Sequence, residues 1–231
     1  MSRFAHEFRS GLAAIAPAAI AAVPIALLFG TVAAAKGLTP AETLLMSALV
    51  FAGGAQFAAI EQWTTPAAIG ALAFSTLLIN ARHILMGASL TPKTRSFSPV
   101  GRFIAFFAMA DEPWAMAERR AAATTLTPTY YLGLTGVFYV NWVFCTWLGA
   151  LVGPFLGDPA LLGADFAFTA LFIGLIAGFW KGRVTGATII AAGVTAALVK
   201  VTLGAPWHVP AGALAGIAAA YLASTDDAVT A

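Results

Sequence analysis

From Gly11 to Ala223 the chain alternates long apolar blocks with short polar punctuation. A helix that crosses a bilayer needs about 20 predominantly apolar residues. The blocks near 11–35, 41–60, 66–90, 103–118, 129–153, 160–180, 184–203 and 206–223 meet or approach that length, which gives a working count of eight segments. Between them stand Lys36-Gly37 with Pro40, Thr64-Thr65-Pro66, Thr91 to Pro99, Arg119 to Pro128, Gly157-Asp158-Pro159, Lys181-Gly182-Arg183 and Gly204 to Pro206, each a turn or helix-start signal. The predicted fold is therefore all-α, a polytopic transmembrane helical bundle in which some segments are broken or re-entrant. One transporter domain is expected over 1–231, with an interfacial segment at 1–10 and a C-terminal tail at 224–231.

Two blocks carry signs of interruption. A helix over 103–118 reaches only about 24 Å, short of the roughly 30 Å hydrocarbon core, so a short, tilted or re-entrant element is expected there. The 41–60 block holds Phe51-Ala52-Gly53-Gly54-Ala55-Gln56-Phe57 at its middle. A glycine pair at that depth is either a close-packing face or the break in a discontinuous helix. A break predicts positive φ at the glycines and a half-helix whose free N–H groups, with Gln56 at the opening, face an anionic carboxylate. Gly54 to Ala58 is echoed by Gly163-Ala164-Asp165-Phe166-Ala167, a match that fits coincidence as well as a parallel repeat in a chain this rich in Ala and Gly.

Composition and charge narrow the class. Of 231 residues, 60% are hydrophobic and 10% charged, where a soluble domain carries about 25% charged residues. Lipid is the solvent this chain needs. Its net charge of +2 comes from isolated Lys and Arg at block ends, which argues against nucleic acid as a partner. Eight full crossings with the N-terminus inside put Arg3, Arg9, Arg119, Arg120, Lys181 and Arg183 on one side and Lys36, Lys93, Arg95, Arg102 and Lys200 on the other. That margin sets no orientation. Cys145, the sole cysteine, offers neither a disulfide framework nor a Cys-based metal site. No cofactor is expected, and no Gly-rich Lys-Ser/Thr nucleotide motif occurs.

Ionisable groups at membrane depth are costly unless they face a partner or a cavity, so each is a functional candidate. Asn80, His83 and Gly87 share a helical face, with Arg82 pointing elsewhere. These groups serve a site or cap the membrane boundary by snorkelling. Asp111-Glu112-Pro113 follows eight apolar residues. Either the acids neutralise Arg82, hold a proton or bind an ammonium while Pro113 frees a carbonyl, or they form a loop tip with Pro113 opening a helix. Asp165 lies shallowly in the sixth block, and Asn141 reads as a helix-to-helix hydrogen bond.

With these residues placed, the chain resembles the AzlC/YgaZ family, the large subunit of branched-chain amino acid exporters associated with azaleucine resistance. The resemblance is carried by Val23-Pro24 with Phe29-Gly30, Phe51 to Phe57, Asn80-Ala81-Arg82-His83, Asp111-Glu112, and Asp165-Phe166-Ala167 with Leu171-Phe172. It departs from the family pattern at Gly54 and Ala81. It implies a multi-pass protein of the bacterial inner membrane that pairs with a small AzlD/YgaH-like membrane subunit, is no enzyme, and exports Val, Leu, Ile and Met against protons. On that reading Gly53, Gly54, Gln56, Asn80, Arg82 and His83 bind substrate, and Asp111, Glu112 and Asp165 couple protons. A structural or channel-like subunit is the alternative, although a channel wants a polar stripe along several helices and this chain clusters its polar groups. An intramembrane protease has only Gly87-Ala88-Ser89 and His208 to suggest it.

Overall fold

The computed structural model describes residues 3–64, 66–67, 69–155, 166, 173–174, 176–177, 180, 182–204 and 207–229. Among these, every regular element is helical: α1 Arg3–Ala35, α2 Pro40–Val50, α3 Gly53–Glu61, α4 Ile69–Asn80, α5 Arg82–Leu90, a 3₁₀ turn Thr91–Thr94, α6 Pro99–Phe107, α7 Asp111–Ala123, α8 Pro128–Val152, a second 3₁₀ turn Gly153–Phe155, α9 Arg183–Thr202 and α10 His208–Val229. Among the described residues three stretches are long and apolar enough to cross a bilayer: Arg3–Ala35, Pro128–Phe155 and Arg183–Thr202. The blocks near 41–60, 66–90 and 103–118 are each two shorter helices joined at a discontinuity.

Local chemistry sets the boundaries. Thr39 and Glu42 form a reciprocal capping box with Pro40 in the first turn of α2. Ser98 caps α6 before Pro99, and Thr127 caps α8 before Pro128. At the end of α1, Leu38 N–H donates to Ala33 O and Gly37 N–H to Ala34 O, with Gly37 at φ 90°. This is a Schellman stop, which needs a residue that tolerates the left-handed region.

The helices divide into two compact units, one with α1–α3 and α5–α8 and the other with α4 up to Ile79, α9 and α10. The first is organised on α1 and α8, which run parallel. A Cβ on Gly11 would lie 2.1 Å from Tyr130 O and one on Gly133 2.3 Å from Phe8 O; further along, one on Gly30 would lie 2.0 Å from Thr146 O and one on Gly149 2.1 Å from Leu27 O. Glycines from both helices thus let the two backbones touch. Polar ties lie on the same seam: Asn141 Nδ2 donates to Ala19 O at 3.0 Å, as its sequence reading expected, and Thr31 Oγ1 donates to Gly149 O at 3.3 Å.

Against this pair the other segments of the first unit turn back on themselves. Tyr139 of α8 donates to Ala48 O at 2.8 Å and its ring lies 4.7 Å from that of Phe51, so α2 ends at that level. Gln56 Nε2 then donates to Ser47 Oγ at 2.9 Å. Nine residues of straight helix separate Cα atoms by about 13 Å, more than these side chains span, so the chain has reversed. Phe57 packs edge-on against Phe29 of α1 at 5.3 Å. The hinge is Phe51, left-handed at φ 39°. Positive φ was expected on the glycine pair; instead Gly53 and Gly54 are helical, and a Cβ on Gly53 would lie 2.9 Å from the Trp142 indole. At Gly53 the requirement is space.

The α6–α7 segment mirrors this from the other end. Phe97, just before α6, stacks edge-on with Tyr131 at 5.8 Å, Phe107 at its end reaches Tyr139 at 6.2 Å, and Tyr131 OH donates to Ala105 O at 3.1 Å. So α6 follows α8. Then α7 returns, since the Arg120 guanidinium sits 4.6 Å over the Tyr130 ring and bonds Glu7 of α1 at 3.1 Å. The block expected to be short, tilted or re-entrant is this hairpin, longer than 103–118 at both ends because Ser98 and Pro99 start it earlier and α7 runs on to Ala123.

In the second unit α9 and α10 pack antiparallel through small residues. A Cβ on Gly212 would lie 3.0 Å from Ala196 Cβ, and one on Gly216 3.2 Å from Ala192 Cβ. Trp207 stacks edge-on with Phe74 of α4 at 5.8 Å.

Candidate functional site

The polar residues of the first unit gather where helices start or stop. α5 and α7 lie side by side and parallel, their first residues adjacent: Arg82 Nη1 is 2.7 Å from Asp111 Oδ2. Further along, Ser89 Oγ donates to Glu118 Oε1 at 2.9 Å and accepts from Trp114 Nε1 at 3.0 Å, and Lys93 pairs with Glu118. These contacts hold the two helices in register, so the Arg82–Asp111 pair is a fixed juxtaposition and not a chance approach of long side chains.

The pair is accessible as well as fixed. Its side chains are 39% and 35% exposed, so either charge can be reached by a ligand. Arg82 Nε is buried with no hydrogen-bond partner, and so is Asn80 Oδ1. A buried donor and a buried acceptor thus stand unsatisfied on either side of Ala81, each costing about 1–3 kcal/mol until something pairs with it. His83 presents Nδ1 at 3.1 Å to Asn80 O and Nε2 at 3.3 Å to Met109 O. Glu112 is exposed beside Asp111, and Pro113 is buried in the first turn of α7, where a missing N–H leaves no hydrogen bond unmade.

The residues of the α2–α3 turn have a different character. Gln56 is fully buried and both ends of its amide are taken, the oxygen by Trp142 Nε1 at 2.9 Å and the nitrogen donating to Ser47. It locks α3 to α2 and α8. Gly53 and Gly54 open α3 with no side-chain cap, so their N–H groups point outward from a helix start. Asp165 lies outside the described residues.

Arg82, His83, Asn80, Asp111 and Glu112 are therefore brought together, and Tyr139 joins this hairpin to the other through its contacts with Phe107 and Phe51. Sequence reasoning missed Tyr139, the lock of Ser47 and Trp142 on Gln56, and the Ser89–Trp114–Glu118–Lys93 network. Trp114 and Glu118 do stand four apart on one helical face, a signal available in the sequence. Among the described residues no cluster of three or more His, Cys, Asp and Glu suited to a metal occurs.

Comparison with known proteins places this unit. The model of the AzlC protein family matches residues 17–156, which hold all of the residues just described from Ser47 to Trp142. An uncharacterized membrane protein of Archaeoglobus fulgidus is 32% identical over 178 residues, 76% of this chain and 77% of its own length. The inner membrane protein YgaZ of Escherichia coli is 28% identical over 217 residues, 91% and 86% respectively. The branched-chain amino acid transport protein AzlC of Bacillus subtilis is 24% identical over 174 residues, 75% and 68% respectively. No solved structure matches.

Proposed function

Because this membrane protein belongs to the AzlC family, we propose that it is the large subunit of a secondary exporter for branched-chain amino acids, driven by protons and working with a small membrane subunit. One observation carries the reading: a fixed, reachable Arg82–Asp111 pair at the level where the α6–α7 hairpin turns. An aliphatic amino acid is a zwitterion with an apolar tail. Its carboxylate takes the guanidinium of Arg82 and its ammonium takes Asp111, so the substrate replaces one ion pair with two and no charge is left bare at membrane depth. Asn80 Oδ1 and Arg82 Nε, both unpaired, supply further contacts of the right polarity. The open start of α3 at Gly53 and Gly54 adds backbone N–H groups for a carboxylate. Gln56, with both ends of its amide engaged, holds that start in place.

Proton movement is assigned to carboxylates. Asp111 and its neighbour Glu112 form this set, which Asp165 completes as proposed from the sequence. The test is efflux of radiolabelled leucine from intact cells, with and without the small subunit, before and after the proton gradient is dissipated. Efflux should need both subunit and gradient. Undiminished efflux in uncoupled, ATP-replete cells sinks the proton coupling. A structural subunit with no transport cycle of its own shows no efflux that depends on Arg82.

A further inference from the structure

Two backbone carbonyls are left over where helices break beside Arg82, and one imidazole faces both. At the junction of α4 and α5, Ile84 N–H donates to Ala81 O at 3.0 Å in place of Asn80 O. At the tip of the α6–α7 hairpin the residue four beyond Met109 is Pro113, which has no N–H to offer the Met109 carbonyl. His83 lies between them, Nδ1 at 3.1 Å from Asn80 O and Nε2 at 3.3 Å from Met109 O. A neutral imidazole has one N–H, so it donates to one carbonyl and turns a lone pair toward the other; an imidazolium donates to both. The charged groups nearest in the chain and across the contact are Arg82 on its own helix and Asp111 and Glu112 at the start of α7. Arg82 and Asp111 neutralise one another, and Glu112 is the second carboxylate in the first turn of α7. Asn80, the α4 residue in contact, is neutral.

From this geometry we infer that His83 is a proton-operated strap. Protonated, it ties the tip of the α6–α7 hairpin to the α4–α5 junction beside Arg82; deprotonated, it lets one carbonyl go and frees the tip. The inference deepens the transport reading, on which its use in the cycle rests, by naming the residue through which pH reaches the substrate pair. His83 is a positioning residue in this scheme. It acts on the place where Arg82 and Asp111 meet and needs no contact with substrate.

The chain has three histidines, so the full-length protein carrying His6→Gln and His208→Gln reports on His83 alone. Imidazole ¹⁵N resonances, recorded in lipid nanodiscs from about pH 9 to pH 5, span the range in which histidine changes charge. The expected result is one N–H at the alkaline end and two at the acid end, both shifted by hydrogen bonding. A single tautomer that persists across the range overturns the strap, whatever transport does. Leucine efflux gives the second readout: the wild type should change about tenfold over two pH units, as a single essential titration dictates, and His83→Gln, which donates but does not titrate, should vary less than about twofold. Where wild-type efflux does vary with pH, an equal pH response in His83→Gln overturns the strap. A titrating His83 with pH-independent efflux in the wild type upholds the strap and sinks proton-driven transport.

Discussion

The α1–α8 pair and the two hairpins packed on it solve one problem, backbone in an apolar medium, in opposite ways. In α1 and α8 the helical ladder is long and the helices join by touching, glycine against carbonyl, at Gly11, Gly30, Gly133 and Gly149. In the hairpins the ladder is cut, and the leftover groups are met by side chains: Tyr139 on Ala48 O, Tyr131 on Ala105 O, His83 on Asn80 O and Met109 O. The first arrangement has one geometry and tolerates no added atom. The second depends on side-chain donors, two phenol hydroxyls and an imidazole, that can turn away from their carbonyls. The proposed site accordingly stands at the cut ladders, with the seam as the frame that holds it.

That contrast breaks down unless the two regions fail differently when mutated. The largest effect is expected at Arg82. Arg82→Ala removes one member of a charged pair and should lower leucine efflux at least about a hundredfold, while the protein still inserts and melts near the wild-type temperature. Arg82→Ala with Asp111→Ala should insert better than Asp111→Ala alone, which strands the arginine. A seam glycine should show the reverse pattern. Gly149→Ala or Gly30→Ala drives a methyl into a backbone carbonyl and should cost about 1–3 kcal/mol in detergent unfolding. Gly87→Ala, with open space around it, should gain up to about 1 kcal/mol of helix propensity.

Two smaller effects sharpen the picture at the α2–α3 turn. Gln56→Leu strands the Trp142 N–H and the Ser47 hydroxyl and should cost about 1–3 kcal/mol; adding Ser47→Ala should recover part of it. A Gln56→Leu protein of unchanged stability would mean the amide is no lock. Smallest is Gly53→Ala. Its new methyl meets the outer edge of the Trp142 ring, which can give slightly, so a loss below about 1 kcal/mol is expected, with Gly53→Leu severe. A severe Gly53→Ala phenotype would return the positive-φ requirement to the glycine.

How much of this was legible is clearest at particular residues. Thr39-Pro40, Ser98-Pro99 and Thr127-Pro128 announced helix starts because capping is local chemistry written in adjacent residues. Pairing of Arg82 with the Asp111 carboxylate was foreseeable, since charges at depth seek each other. Chain reversal was not, because two apolar half-helices have the same composition whether they cross or turn back. The left-handed hinge at Phe51 was equally hidden: its strain is offset by ring contacts with Phe138 and Tyr139, partners nearly ninety positions downstream. The locks at Gln56 and Ser89 also join distant segments, which periodicity within one helix does not reveal.

The two reversals also re-sort the surface of the protein. Within the first unit α2–α3 returns to the end where α1 stops, and α6–α7 to the end where α8 starts. Arg3, Arg9, Lys93, Arg95, Arg102, Arg119 and Arg120 then share one end, and Lys36 stands alone at the other. For the residues of the first unit alone, the count is seven against one; Lys181, Arg183 and Lys200 belong to the second unit and stand outside it. The positive-inside rule then predicts that the arginine-rich end of this unit faces the cytoplasm, with the α6–α7 hairpin entering from that side and the α2–α3 hairpin from the other.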